Sequence, residues 1–212
     1  MDPNSFKMFM GAAADTGIVL PAIGASYEGG FFAGTISHNA DGVATHALII
    51  APASSGYNTS GLKWSNSNTT TGATSPYDGA SNTSSMSDSP AKNFVDGLSI
   101  GGYSDWYLPA RFEMEILYYN LKPTTQSNST GFGANSYAVP SRSSNYTSSD
   151  PAQTSVSAFQ SGGSEAIETG YHHTSTEYSS TQAYVMIVNN GSMFESDKAD
   201  AQKVRAIRRI AL

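Results

Sequence analysis

The stretch Gly101–Pro123, "GGYSDWYLPARFEMEILYYNLKP", decides the fold, because two periodicities meet inside it. Up to Pro109 it reads as extended, since a proline disfavours helical geometry at the residue before it, here Leu108, and Trp106 and Tyr107 suit a pleated surface. Beyond Pro109 the period changes. Phe112, Ile116 and Tyr119 recur at i, i+4 and i+7, and Leu117 and Leu121 widen the stripe, which predicts an amphipathic helix. Glu113 and Glu115 lie early in that helix, where the dipole favours carboxylates, and Pro123 closes it. An aromatic strand followed by the main core helix is the resulting reading. The large side chains gather here because the neighbouring segments cannot fill a core.

Upstream, Ser89 as N-cap and Pro90 at the first helical position predict a shorter helix, with Ala91, Phe94 and Val95 on its apolar face and Gly97 at its end. Residues 54–89 are mostly Ser, Thr, Asn and Gly, and Trp64, Tyr77 and Met86 are expected to pin them as ordered loops. Earlier still, "GASYEGGFFAGTIS" reads as a strand carrying Phe31, Phe32 and Ile36. "NADG" at Asn39–Gly42 is a turn, and the unbroken apolar run of "THALIIAP" implies a strand buried on both faces. Residues 1–23, with Phe6, Met8, Phe9 and Met10, are set apart as an arm for docking or oligomer contact, and residues 24–212 as the folded domain. Downstream, residues 124–163 return to polar loops. "AYVMIVNNGSMFESD" predicts a hairpin turning at Asn190-Gly191. "KVRAIRRIAL" alternates, which predicts Val204, Ala206 and Ile207 inward and Arg205 and Arg208 outward. The fold class expected is α+β, with two helices, short antiparallel strands and long loops.

Composition narrows the function. The chain has 212 residues, no cysteine, and 11 basic against 17 acidic residues, a formal charge of -6. A nucleic-acid surface built on counterion release needs the opposite balance, so no nucleic-acid partner is expected. No apolar run reaches the length needed to span a bilayer, and "GIVLPAIGA" lacks the basic flank of a signal peptide, so neither membrane insertion nor a leader is expected. Only 13% of residues are charged, which leaves solubility to hydroxyl and amide groups.

The richest cluster of polar and aromatic side chains is "GYHHTSTEYSS". Tyr171, His172, His173, Glu177 and Tyr178, with Asn190 and Phe194 of the following hairpin, are the candidate ligand-binding residues, because flat, partly polar side chains lose little entropy on binding. In an extended segment the adjacent histidines point apart, which disfavours one shared metal ion, and a structural loop is the competing reading. Catalysis finds no support: no GxSxG motif occurs, the histidines stand in no motif with serine, and Glu113 and Glu115 face different ways for a glycosidase pair. Asp105 and Glu177 are the carboxylates a hydrolase would need. No cofactor is expected; calcium is the one ion considered, with Asn189, Asn190, Glu195 and Asp197, or Asp78 and Asn82, as oxygen donors.

Taken together, "GGFFAG", "HALIIAP", "GLKWSNSNTTTGAT", "GGYSDWYLPARFEMEILYYNL", "GYHHTSTEYSSTQAYVMIVNNGSMFESDK" and "VRAIRR" resemble the DUF1566 family, which includes the C-terminal domain of a Legionella collagen-like adhesin and many bacteriophage virion proteins. Two departures stand out: His173 where the family commonly has tryptophan, and Phe94 or its neighbours where a cysteine is common. The resemblance implies a C-type-lectin-like fold and a homotrimeric adhesin on a virion surface, tail fibre or capsid, binding host-cell glycan or envelope protein and other virion proteins. The alternative is a purely structural decoration or joining protein anchored by its N-terminal arm.

Overall fold

A computed structural model describes residues 18–212, and among them ten strands and four α-helices follow one another. They are β1 (Ser26–Tyr27), β2 (Gly30–Ile36), β3 (His46–Ile50), α1 (Ala53–Gly56), β4 (Tyr57–Lys63), α2 (Gly79–Ser85), α3 (Pro90–Asp96), α4 (Arg111–Leu121), β5 (Ala138–Val139), β6 (Tyr171–Glu177), β7 (Gln182–Ile187), β8 (Ser192–Asp197), β9 (Ala201–Arg205) and β10 (Ile207–Ala211). The strands form two sheets. One runs β1-β2-β3-β10, with β5 beside β2; the other runs β4-β9-β6-β7-β8. Ala206 alone separates β9 from β10, so the chain steps from one sheet to the other there.

The class is α+β, as expected, but with four helices instead of two. The unforeseen pair have no apolar stripe to announce them. Helix α1 is a single turn, and α2 is the polar run GASNTSS, started by the Asp78 side chain, which accepts from the Ser81 amide at 2.9 Å. The two predicted helices form where the sequence puts them. Ser89 caps α3 by accepting from the Lys92 amide at 3.0 Å, with Pro90 as its first residue.

Strand β3 shows why its sequence is continuously apolar. Leu48 and Ile50 join the cluster around Met114, Leu117 and Leu121 of α4, whereas Ala47 and Ile49 join the cluster of Trp64, Val95, Trp106 and Leu108. Each fully buried side chain of this size contributes about 1.5–3 kcal/mol. Helix α4 lies on β2 at Gly34, where a Cβ would stand 2.5 Å from Asn120 Nδ2 and 2.8 Å from the Ile116 side chain. That contact lets the Asn120 amide donate to the Ala33 carbonyl at 2.7 Å. Tyr107 exchanges backbone hydrogen bonds with Ile207 of β10, which fixes the extended run before α4 against the last strand.

The C-terminal alternation fails at its arginines. Both are buried, because each meets a carboxylate brought in from far along the chain. Arg208 grips Asp105 with two donors at 2.7 and 3.0 Å, and Arg205 donates to Glu165 at 3.1 Å and to the Ala51 carbonyl at 2.8 Å. The arm expected over residues 1–23 lies, for residues 1–17, outside the described residues; Leu20 and Ile23 pack against the core clusters.

Candidate functional site

Strand β6 carries five of the residues singled out from the sequence or stands next to them, and it places them very differently. From His172 to Glu177 every residue is buried, because β6 lies between β9 and β7 with both its faces covered. The expectation that His172, His173 and Glu177 supply a binding surface is therefore corrected. The His172 Nε2 is 2.7 Å from the Tyr57 hydroxyl, and burial pushes its pKa down to about 3, against the opposing pull of the Gly170 carbonyl. His173 donates from Nε2 to the Leu62 and Asp200 carbonyls at 2.9 and 3.2 Å, and burial holds its pKa down at about 4. Glu177 accepts from Lys198 Nζ at 2.5 Å, from the Thr71 amide at 2.9 Å and from the Gly72 amide at 3.1 Å. Burial pushes its carboxyl up, but the Lys198 and backbone donors outweigh that and leave it below the usual range. Lys198 also donates to the Thr69 carbonyl and lies 4.7 Å from the centre of the Trp64 ring. This group fastens the polar 69–72 segment to the second sheet.

The remaining candidates divide between the two faces of the β7–β8 hairpin. Asn190 forms the turn: its Oδ1 accepts from the Ser192 amide and hydroxyl, and its carbonyl accepts from Ser129. Tyr171, 47% exposed, meets Phe194 edge to face at 5.6 Å. Tyr178, 55% exposed, packs edge to face on Tyr184, and Tyr184 pairs across the hairpin with Glu195, on the opposite face from Phe194. Of the calcium candidates, Asp78 is engaged by Arg209 at 2.6 Å, and Asn82 is bonded to Ser75 and Ser175.

That second face closes a pocket of about 380 Å³ that the sequence reading did not find. Its walls are Arg111, Phe112 and Glu115 of α4, the loop 131–134, and Tyr184 and Glu195 of the hairpin. Asn135 ties the loop to α4 by donating to the Phe112 carbonyl at 3.0 Å, while its Oδ1 accepts from the Tyr137 and Ala138 amides. The close approach of Gly133 to Tyr146, where a Cβ would be 2.3 Å from the ring, lets Arg142 reach the Gly133 carbonyl at 2.9 Å.

The polar groups here are left unmatched. Among the described residues, Arg111 Nε, Glu115 Oε2, Arg142 Nη2 and the Tyr146 hydroxyl are buried atoms without a hydrogen-bond partner. Burial pushes the Glu115 carboxyl up to about 7, with Arg142 and then Arg111 pulling the other way. Two residues earlier, Glu113 is also buried but satisfied, accepting from Ala110 and Gly79 amides and from the Tyr107 hydroxyl at 2.7, 3.1 and 2.8 Å. The sequence did hold a sign of this. In RFEMEILYYNL both glutamates flank Met114 and stand among Ile116, Leu117 and Tyr118, residues that the core claims.

Compared with known families, residues 57–208 match the family described as Lcl C-terminal domain. The chain belongs to that family. A search among curated proteins found no relative. The family match begins at β4 and ends in β10, so it takes in α4, the pocket walls and the whole second sheet, and it agrees with the resemblance carried by "GGYSDWYLP" and "VRAIRR".

Proposed function

We propose that this chain is a recognition domain on the surface of a bacteriophage particle, tail fibre or capsid, which binds host-cell glycan or envelope protein. In this reading the fold is C-type-lectin-like in the broad sense, the protein is a homotrimer, and the pocket with its aromatic rim is the contact surface. The observation that carries it is the pair of buried, unmatched polar atoms on Arg111 and Glu115, which line an open pocket with aromatic walls. Buried polar groups in folded proteins are nearly always satisfied, and a ligand is one way of completing these. The match to the Lcl C-terminal domain family bears out the resemblance from which this reading starts. A shallow site binds weakly, and display of several copies multiplies its strength.

The test is binding of the assembled oligomer to intact host cells and to arrayed host-surface glycans and envelope proteins. Saturable binding, weakened in the separated monomer, is the expected result. No binding to any host component defeats the reading and leaves the joining protein anchored by its N-terminal arm.

A further inference from the structure

We propose, resting on the recognition function above, that the pocket between α4 and the β7–β8 hairpin holds one neutral sugar ring, bound through two adjacent hydroxyl groups by Glu115 and Arg111. These residues are four apart on α4 and so stand side by side on one helix face. They do not satisfy each other: Arg111 Nε and Glu115 Oε2 both lack partners among the described residues. The Arg111 guanidinium is packed against two rings, its central carbon 4.7 Å from the centre of Phe112 and 4.9 Å from that of Tyr184. These two contacts hold the guanidinium in a fixed direction, with its Nε buried and unmatched. Glu115, 4% exposed, lines the same pocket one turn further along the helix. A fixed donor beside a buried acceptor matches a vicinal diol, in which one hydroxyl donates to the carboxyl while its neighbour accepts from the guanidinium.

The walls select further. Phe132 offers apolar surface for the C–H face of a sugar ring. A volume of about 380 Å³ is at the small end for ligand pockets, which run to about 1,000 Å³, so a single ring fits better than an extended chain. Charge is close to balanced: Arg111 faces Glu195 and a Glu115 carboxyl that is only partly ionised near neutral pH, which favours a neutral ring over a strongly charged ligand of either sign. The carboxyl held up at about 7 meets the ligand as acceptor or donor, and a hydroxyl serves either form.

The experiment titrates the assembled protein with methyl glycosides of glucose, galactose, mannose and N-acetylglucosamine at millimolar concentration, beside glucuronate and glucose 6-sulfate. The reporter is the methyl resonance of Met193 on the pocket wall, which needs no substitution. At least one neutral glycoside is expected to shift it saturably, and the charged sugars to shift it less. Glu115→Gln and Arg111→Met, each matched to the parent by near-ultraviolet dichroism, are expected to weaken binding about tenfold or more. Tighter binding of the charged sugars overturns the ligand class. Unweakened binding in both variants, or a silent Met193, overturns the site. Each of these leaves the recognition function standing if host cells are still bound, and only loss of host binding removes both.

Discussion

The β6 belt and the α4 pocket bury the same kinds of side chain to opposite ends. Around β6, Glu177, Lys198, Thr71 and Gly72 close on one another, and each histidine has a nitrogen within hydrogen-bond distance of a hydroxyl or carbonyl group. In the pocket, Arg111 and Glu115 each keep an unmatched atom, and so do Arg142 and Tyr146 behind its Gly133 wall. Burial of a charged or titratable group is therefore no mark of function in this protein. What separates Glu177 from Glu115 is whether the partners are supplied by the protein, since elsewhere in the belt His173 Nδ1 is unmatched as well. Where they are, as for Glu177, a buried charge staples a loop that has no apolar residues to hold it. Where they are not, as for Glu115, the group keeps a buried atom without a partner.

The largest effect expected from this contrast is in the belt. Lys198→Met removes the cation and leaves Glu177 as an uncompensated buried charge, which costs about 3–5 kcal/mol of stability. Adding Glu177→Gln is expected to recover part of that, because the two losses share one interaction. Denaturant unfolding of the three variants measures both quantities. A single-variant cost below about 1 kcal/mol means that the pair is no staple, and the contrast with the pocket collapses.

Acid sharpens the same contrast. The folded-state pKa values of His172 and His173, about 3 and about 4, lie below the ordinary 6.5. The unfolded chain therefore takes up protons first as pH falls. The stability linked to these histidines is complete above about pH 6.5 and is lost on the way down toward their folded values, at about 1.4 kcal/mol per pH unit for each. His173→Gln keeps a donor for the Leu62 and Asp200 carbonyls and does not titrate, so its slope between about pH 6 and 4.5 is expected to be shallower by that amount. Equal slopes in parent and variant mean that His173 is hydrated and that β6 is not closed.

Some of this was legible in the sequence. Helix α4 is bracketed by Pro109 and Pro123 and keeps its period between them; α3 has its Ser89–Pro90 start; β3 is apolar because both its faces are covered; Asn190-Gly191 turns the hairpin. Local signals sufficed in each case. Strand β4, YNTSGLK, and helix α2, GASNTSS, are held by partners distant in sequence, so their own composition reads as loop. The same distance hid the burial of Arg205 and Arg208, whose carboxylates lie 40 and 103 residues away. Of the rings the sequence singles out, Tyr178 packs on the pocket residue Tyr184, whereas Tyr171 and Phe194 pair on the other face of the hairpin, and the burial of β6 comes from strands distant in sequence. The pocket is not legible in the sequence because a glutamate in the first turns of a helix suits the dipole equally well on the surface, and only the elements packed around α4 bury Glu113 and Glu115.

The smallest effect has the opposite sign, and that sign is its value. Glu115 has a folded-state pKa of about 7, above the ordinary 4.5, so the folded state holds its proton more tightly than the unfolded chain. The stability this confers is present in acid and is lost as pH rises through about 7. Glu115→Gln has nearly the shape of the protonated acid, so parent and variant are expected to unfold together at about pH 5. At about pH 8 the parent carries a buried carboxylate that the protein does not fully satisfy, and the variant does not. The glutamine amide returns part of the gain, since its N–H groups face the donors of Arg111 and Arg142, which leaves the variant more stable by about 1 kcal/mol. Glu177→Gln, whose carboxylate is matched by Lys198 and two backbone amides, is expected to be less stable than the parent at both pH values. If Glu115→Gln also loses stability at pH 8, then Glu115 is as well partnered as Glu177, and the distinction between a closed belt and an open pocket has no basis.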